Sequence, residues 1–110
     1  MAKVNTVPEV FERMGQVFNP DKASGVDATF QFDLTGEGGG KHWVKVNNGS
    51  FTHGEGEAAD SNITIISSAQ DYISIVNGDL QAMSAFMTGK LKVKGDMGLA
   101  LKLQSIFPTG

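Results

Sequence analysis

The sequence of residues 1–110 predicts a single α+β domain, a five-stranded, mainly antiparallel sheet with helices covering one face. Three observations carry this. Residues 26–34, VDATFQFDL, alternate apolar and polar side chains without a break, the period of a half-buried strand. Val7, Val10, Phe11, Met14, Val17 and Phe18 fall within about 120° of a helical projection, with Glu9, Glu12, Arg13 and Gln16 opposite. From Met97 to Phe107 the apolar positions of a further helix spread over about 220°, where a surface helix needs a stripe somewhat over about 100° wide. That last helix must be covered on two sides, by the sheet and by something else.

Taken in order, Thr6 with Glu9 three residues on is a capping box, and Pro8 sits in the first turn, where its missing N–H costs little. The first helix ends before Asn19-Pro20. In the strand that follows, Val26, Ala28, Phe30, Phe32 and Leu34 face the core, and Asp27, Thr29, Gln31 and Asp33 face water. Gly36–Gly40 is a loose turn, after which His42, Val44 and Val46 alternate with Lys41, Trp43 and Lys45. Asn47-Asn48-Gly49 signals a tight turn into a short third strand at 50–53, so the first three strands form a meander. A fourth strand covers Ile63–Ile66. Ser68 with Asp71 caps a helix carrying Tyr72, Ile73, Ile75 and Val76, closed by Asn77-Gly78. Leu80, Met83, Phe86 and Met87 are spaced as a short helix stopped by Gly89. Leu91 and Val93, between Lys90, Lys92 and Lys94, make a fifth strand, and Asp96 caps the wide-faced helix.

Composition bounds what such a domain can do. The chain is 40% hydrophobic and 19% charged, as a folded globule is, and its net charge of −3 argues against a nucleic-acid partner. With no cysteine, disulfides and thiolate chemistry are excluded. The opening MAKVNTVPEVFERMG lacks the apolar core of a signal peptide, no stretch is apolar enough to span a bilayer, and IFPTG is not a peroxisomal signal of Ser-Lys-Leu type. A cytoplasmic location is expected. His42 and His53, the only histidines, have no spaced carboxylate or cysteine partners, so they read as exposed strand residues and no metal site is expected. There is no nucleophile elbow and no phosphate loop, and neither a cofactor nor an enzymatic role is expected.

The apolar inventory says more. Seven Phe and five Met concentrate on the inward faces of the first helix, the first strand and residues 80–107. Two readings stay open: an ordinary core, or a site that accepts ligands of varied shape, for which unbranched Met is suited. Gln104 lies at about 340° from Met97, inside the apolar arc. A buried amide costs about 1–3 kcal/mol unless paired. Ligand pockets, by contrast, combine apolar walls with a few placed polar groups. A bond from Gln104 to neighbouring backbone would serve equally. Lys90, Lys92, Lys94 and Lys102 form a basic stripe, read first as edge-strand protection and second as a surface for transient contact with anionic lipid headgroups.

Residues 89–104, GKLKVKGDMGLALKLQ, preceded by FMT and further upstream by FQFDL, HWVKVNNG and AADSNITI, resemble the sterol carrier protein type 2 family in order, over roughly residues 7–107. The resemblance implies that sheet and helices enclose a hydrophobic tunnel, of roughly 400 Å³ if it is of usual pocket size. It also implies a non-enzymatic intracellular carrier of a fatty acid, fatty acyl-CoA, phospholipid or sterol. The expected tunnel-lining residues are Phe11 and Met14 on the first helix and Phe30 and Phe32 on the first strand. Tyr72 and Val76 follow on the middle helix, Met83, Phe86 and Met87 on the short helix, and Met97, Leu101 and Gln104 on the last. A monomer is expected over a dimer. The alternative is an accessory or scaffold subunit that uses the same apolar surface to dimerise or to present lipid to a partner enzyme.

Overall fold

The computed structural model describes residues 3–109. Helix α1 (Val7–Val17) starts where expected: Thr6 Oγ1 accepts the Glu9 N–H, and the Glu9 carboxylate accepts from the Thr6 hydroxyl and the Asn5 N–H. The helix ends at Phe18, but Asn19-Pro20 is more than a stop. Asn19 Oδ1 accepts the N–H groups of Asp21 and Lys22, opening a one-turn helix α2 (Pro20–Ala23) that the sequence reading lacked.

Five strands follow the expected positions: β1 (Asp27–Thr35), β2 (Gly40–Asn47), β3 (Ser50–Glu55), β4 (Ile63–Ser68) and β5 (Leu91–Gly95). They form one sheet in the order β3-β2-β1-β4-β5. β1–β2–β3 is the expected meander, with Asn48 (φ 43°) and Gly49 (φ 89°) both left-handed in its tight turn. β4 pairs antiparallel with β5 but parallel with β1, so the sheet is mixed.

The parallel pair forces a crossing. From the end of β3 the chain must pass to the other side of β1, and residues 56–62 do so over the outer face of the sheet. Gln31, expected in water, is buried under this crossing at 6% exposure. Its Nε2 donates to the carbonyls of His42 and Gly56, both at 3.0 Å, and its Oε1 accepts the Ala58 N–H at 2.8 Å. One side chain thus ties the crossing segment at Gly56 and Ala58 to the β1–β2 pair. Gln31→Leu leaves all three without this partner and is expected to cost about 2–3 kcal/mol, read as a lower midpoint of urea denaturation.

The inner face holds the core. Phe30, Phe32, Val44, Val46 and Ile63 are almost fully buried beneath α1, α3 (Ala69–Asn77) and α5 (Met97–Ile106). Phe11 of α1 meets Phe32 edge-on at 5.5 Å and stacks on the His42 imidazole at 4.5 Å. His42, expected to be exposed, is therefore half-buried beneath α1, and burial pushes its pKa below the ordinary imidazole value; His53 is exposed as expected. Asn77, at the end of α3, accepts the Val4 N–H and donates to the Val4 carbonyl, holding the segment before α1 against α3. Ser68 and Asp96 cap α3 and α5 as expected, and Gly78 (φ 81°) ends α3 in the left-handed conformation.

Between β5 and α5 the chain turns at Gly95, where φ is 110° and a Cβ would lie 2.6 Å from the Asn62 carbonyl oxygen. The far end of α5 is fixed by the Phe18, Phe51 and Phe107 rings, whose centroids lie 4.6–5.3 Å apart, and by the Asn19 N–H donating to the Ile106 carbonyl. The short helix α4 (Ala82–Met87) sits before β5 and anchors itself through Ala85, fully buried.

Candidate functional site

The wide apolar face of α5 divides as its geometry requires. Leu103 and Ile106 are buried toward the sheet, Leu99 and Ala100 are half-buried, and Met97 and Leu101 stand 47% and 63% exposed. α4 divides in the same way, with Ala85 buried while Met83 and Phe86 are 57% and 41% exposed. The exposed flanks of these two helices border one pocket of about 190 Å³ between them and the inner face of β4 and β5. Met14 and Val17 of α1 and Tyr72, Ile75 and Val76 of α3 complete its walls. The space is smaller than the roughly 400 Å³ expected, and it opens to solvent past its exposed rim.

Of the expected lining residues, Met14, Tyr72, Val76, Met83 and Phe86 border this pocket, as do Met97, Leu101 and Gln104. Four do not. Phe30 and Phe32 are sealed in the core behind it, because β1 is the central strand and is roofed by helices along its length. Phe11 is buried against His42 and Phe32. Met87 is 78% exposed, one helical step past the pocket edge.

Other lining residues were not singled out in the sequence. Ile65, Leu91 and Val93 supply the floor, and strand alternation already turned each of them inward. Ala82 and Ala100 create the space by being small. Bulky side chains mark walls; short ones mark the volume between walls.

The polar groups of the lining are few: Arg13, Gln104 and Thr109, with the Tyr72 phenol. Gln104 is exposed at the mouth and not buried in a dry core, which removes the cost of hiding its amide. Tyr72 lies edge-on to Phe32 at 5.5 Å, and burial pushes its phenol, already uncharged at neutral pH, well above the ordinary value. Apolar walls with a few polar groups suit an apolar chain with a polar end. Among the described residues no group of three or more His, Cys, Asp or Glu is placed to hold a metal ion, and no helix is long and apolar enough to cross a membrane.

The model of the SCP-2 sterol transfer family matches residues 11–108. Hydroxysteroid dehydrogenase-like protein 2 of Bos taurus is 34% identical over 106 residues, which are 96% of this chain and 25% of the bovine protein. The chain thus spans about a quarter of the length of such relatives. Among solved structures, the sterol carrier protein domain 2 of Helicoverpa armigera is similar with a TM-score of 0.65 at 26% identity, covering 96% of this chain and 91% of that one. The palmitated sterol carrier protein 2-like 2 of Aedes aegypti has the same fold, with a TM-score of 0.72 at 24% identity over 94% of this chain and 96% of that one.

Proposed function

This chain belongs to the SCP-2 sterol transfer family, and from that premise we propose that it is a non-enzymatic carrier that holds the apolar part of a lipid in the pocket between β4, β5 and helices α3–α5. The observation that carries this is the pocket itself: apolar walls, a mouth lined with Met83, Phe86, Met97 and Leu101, and polar groups confined to a few positions. Apolar walls open to water through this mouth are surface that an acyl chain would remove from water, at about 25 cal/mol per Å² covered. Fatty acid, fatty acyl-CoA, phospholipid and sterol all fit this chemistry, and the palmitated state of the Aedes protein supports a single acyl chain as the first probe. The carrier is proposed to work as a monomer in the cytoplasm.

The test is delipidation in organic solvent or denaturant, refolding, and titration with palmitate followed by native mass spectrometry and thermal denaturation. A one-to-one complex is expected, and palmitate at 100 times its Kd should stabilise the fold by about 2.7 kcal/mol. No complex and no thermal shift would remove the carrier reading. A second reading rests on length. Since the chain matches only about a quarter of its dehydrogenase-like relatives, the same pocket would serve there to present a lipid to a catalytic partner.

A further inference from the structure

The polar groups around the pocket differ in depth. Arg13 is half-buried, and Gln104 and Thr109 are exposed at the rim, whereas Tyr72 is only 7% exposed. Helical spacing turns Tyr72 inward, one turn before Ile75 and Val76 on α3, and its ring meets Phe32 on the central strand β1. Phe32 pairs with Ile65, and Ile65 with Val93. Tyr72 thus stands at the central-strand end of a floor that runs outward through Ile65 and Val93 to the edge strand. Its hydroxyl forms no hydrogen bond with any described residue, although a buried tyrosine ordinarily bonds its hydroxyl. Among the described residues, every side-chain nitrogen or oxygen sealed from solvent has a partner. The Tyr72 hydroxyl is therefore not sealed. It reaches open space, and the space that Tyr72 borders is the pocket.

From this we infer that the Tyr72 hydroxyl is a hydrogen-bonding subsite for a neutral oxygen on the buried part of an acyl chain, so that the pocket selects hydroxylated chains by the position of the hydroxyl. The inference rests on the carrier reading and names its ligand class. The oxygen is neutral because a carboxylate carried to that depth would lose its water against a single uncharged hydroxyl. The charged end of the ligand stays with the polar groups of the rim. At about 190 Å³, below the range of about 300–1,000 Å³ common for small-molecule pockets, the space suits one chain better than a fused ring system. A plain chain covers the Tyr72 hydroxyl and strips it from water with nothing in return. Sites built around a hydrogen bond reject the analogue that lacks it by the same penalty.

The test is to titrate wild type and Tyr72→Phe with palmitate and with a set of hydroxypalmitates whose single hydroxyl stands at successive carbons from the middle of the chain to its end. These isomers share one hydroxyl to desolvate, so differences among them report where it is received. In wild type one position should bind about tenfold more tightly than the others, the worth of one buried hydrogen bond. Tyr72→Phe keeps the ring against Phe32 and removes only the oxygen. It should level the isomers and bind palmitate at least as tightly as wild type. Tyr72 is the only tyrosine, so tyrosine labelled with ¹³C at Cζ gives one resonance in wild type. The preferred isomer alone should move it beyond its palmitate-bound position. Equal affinity for all isomers in wild type, a preference that survives in Tyr72→Phe, or one Cζ position for every isomer would overturn the subsite. Wild type that binds palmitate without positional preference loses only this inference; wild type that binds none of the acids loses the carrier reading with it.

Discussion

Ala100→Trp is expected to abolish palmitate uptake, weakening it by at least about 100-fold, while leaving the fold as stable as wild type or more so. Ala100 lies half-buried on α5, borders the pocket, and is one of the two small residues that create its volume. An indole placed there fills space that the fold leaves open, so the overpacking cost of about 1–3 kcal/mol seen in close-packed cores should not arise. Covering the apolar walls of the 190 Å³ pocket with the indole works in the opposite direction. A loss of stability of that size, with uptake retained, would mean that Ala100 packs in an ordinary core. Trp43 is the only native tryptophan, so the new indole can also be followed by its own fluorescence.

Phe32→Ala should have the largest effect on stability. Phe32 is fully buried, and its ring meets both Phe11 and Tyr72 at 5.5 Å between centroids. Truncating a buried phenylalanine costs about 3–5 kcal/mol, and at about 4–8 °C per kcal/mol the thermal midpoint should fall by roughly 15 °C or more. Met83→Ala, at a position 57% exposed, should change that midpoint by only a few degrees while weakening palmitate binding. The contrast tests the division between core and pocket: a small loss for Phe32→Ala with impaired binding would return Phe32 to the lining.

That division is where the sequence was least informative. Periods of two and 3.6 located all five strands and the four longer helices, because each buries one face and shows it in the spacing of Val, Ile, Leu and Phe. Period does not report depth. Phe30 and Phe32 alternate inward just as Leu91 and Val93 do, yet β1 lies at the centre of the sheet and β5 at its edge, so only the latter pair reaches the pocket. Sheet order decides this, and no local pattern on β1 encodes that β4 will pair beside it in parallel. The burial of Gln31 follows from the same pairing, since the crossing that covers it exists only because β4 lies on the far side of β1. Asn19-Pro20 was ambiguous for a local reason: the pair that ends one helix also caps the next. The last helix was the most legible element. An arc of about 220° on α5 required two coverings, and its flanks do part between the sheet and the pocket mouth.

Chemical-shift mapping of a palmitate titration by two-dimensional NMR of the delipidated chain tests the central claim most directly. Saturable one-to-one shifts should concentrate on the amides of Tyr72, Val76, Phe86, Val93, Ala100 and Leu101, while Lys45 and Thr52 on the β2–β3 ribbon stay fixed. Shifts confined to the outer face of the sheet, or none at stoichiometric palmitate, would contradict a lipid site between β5 and the helices.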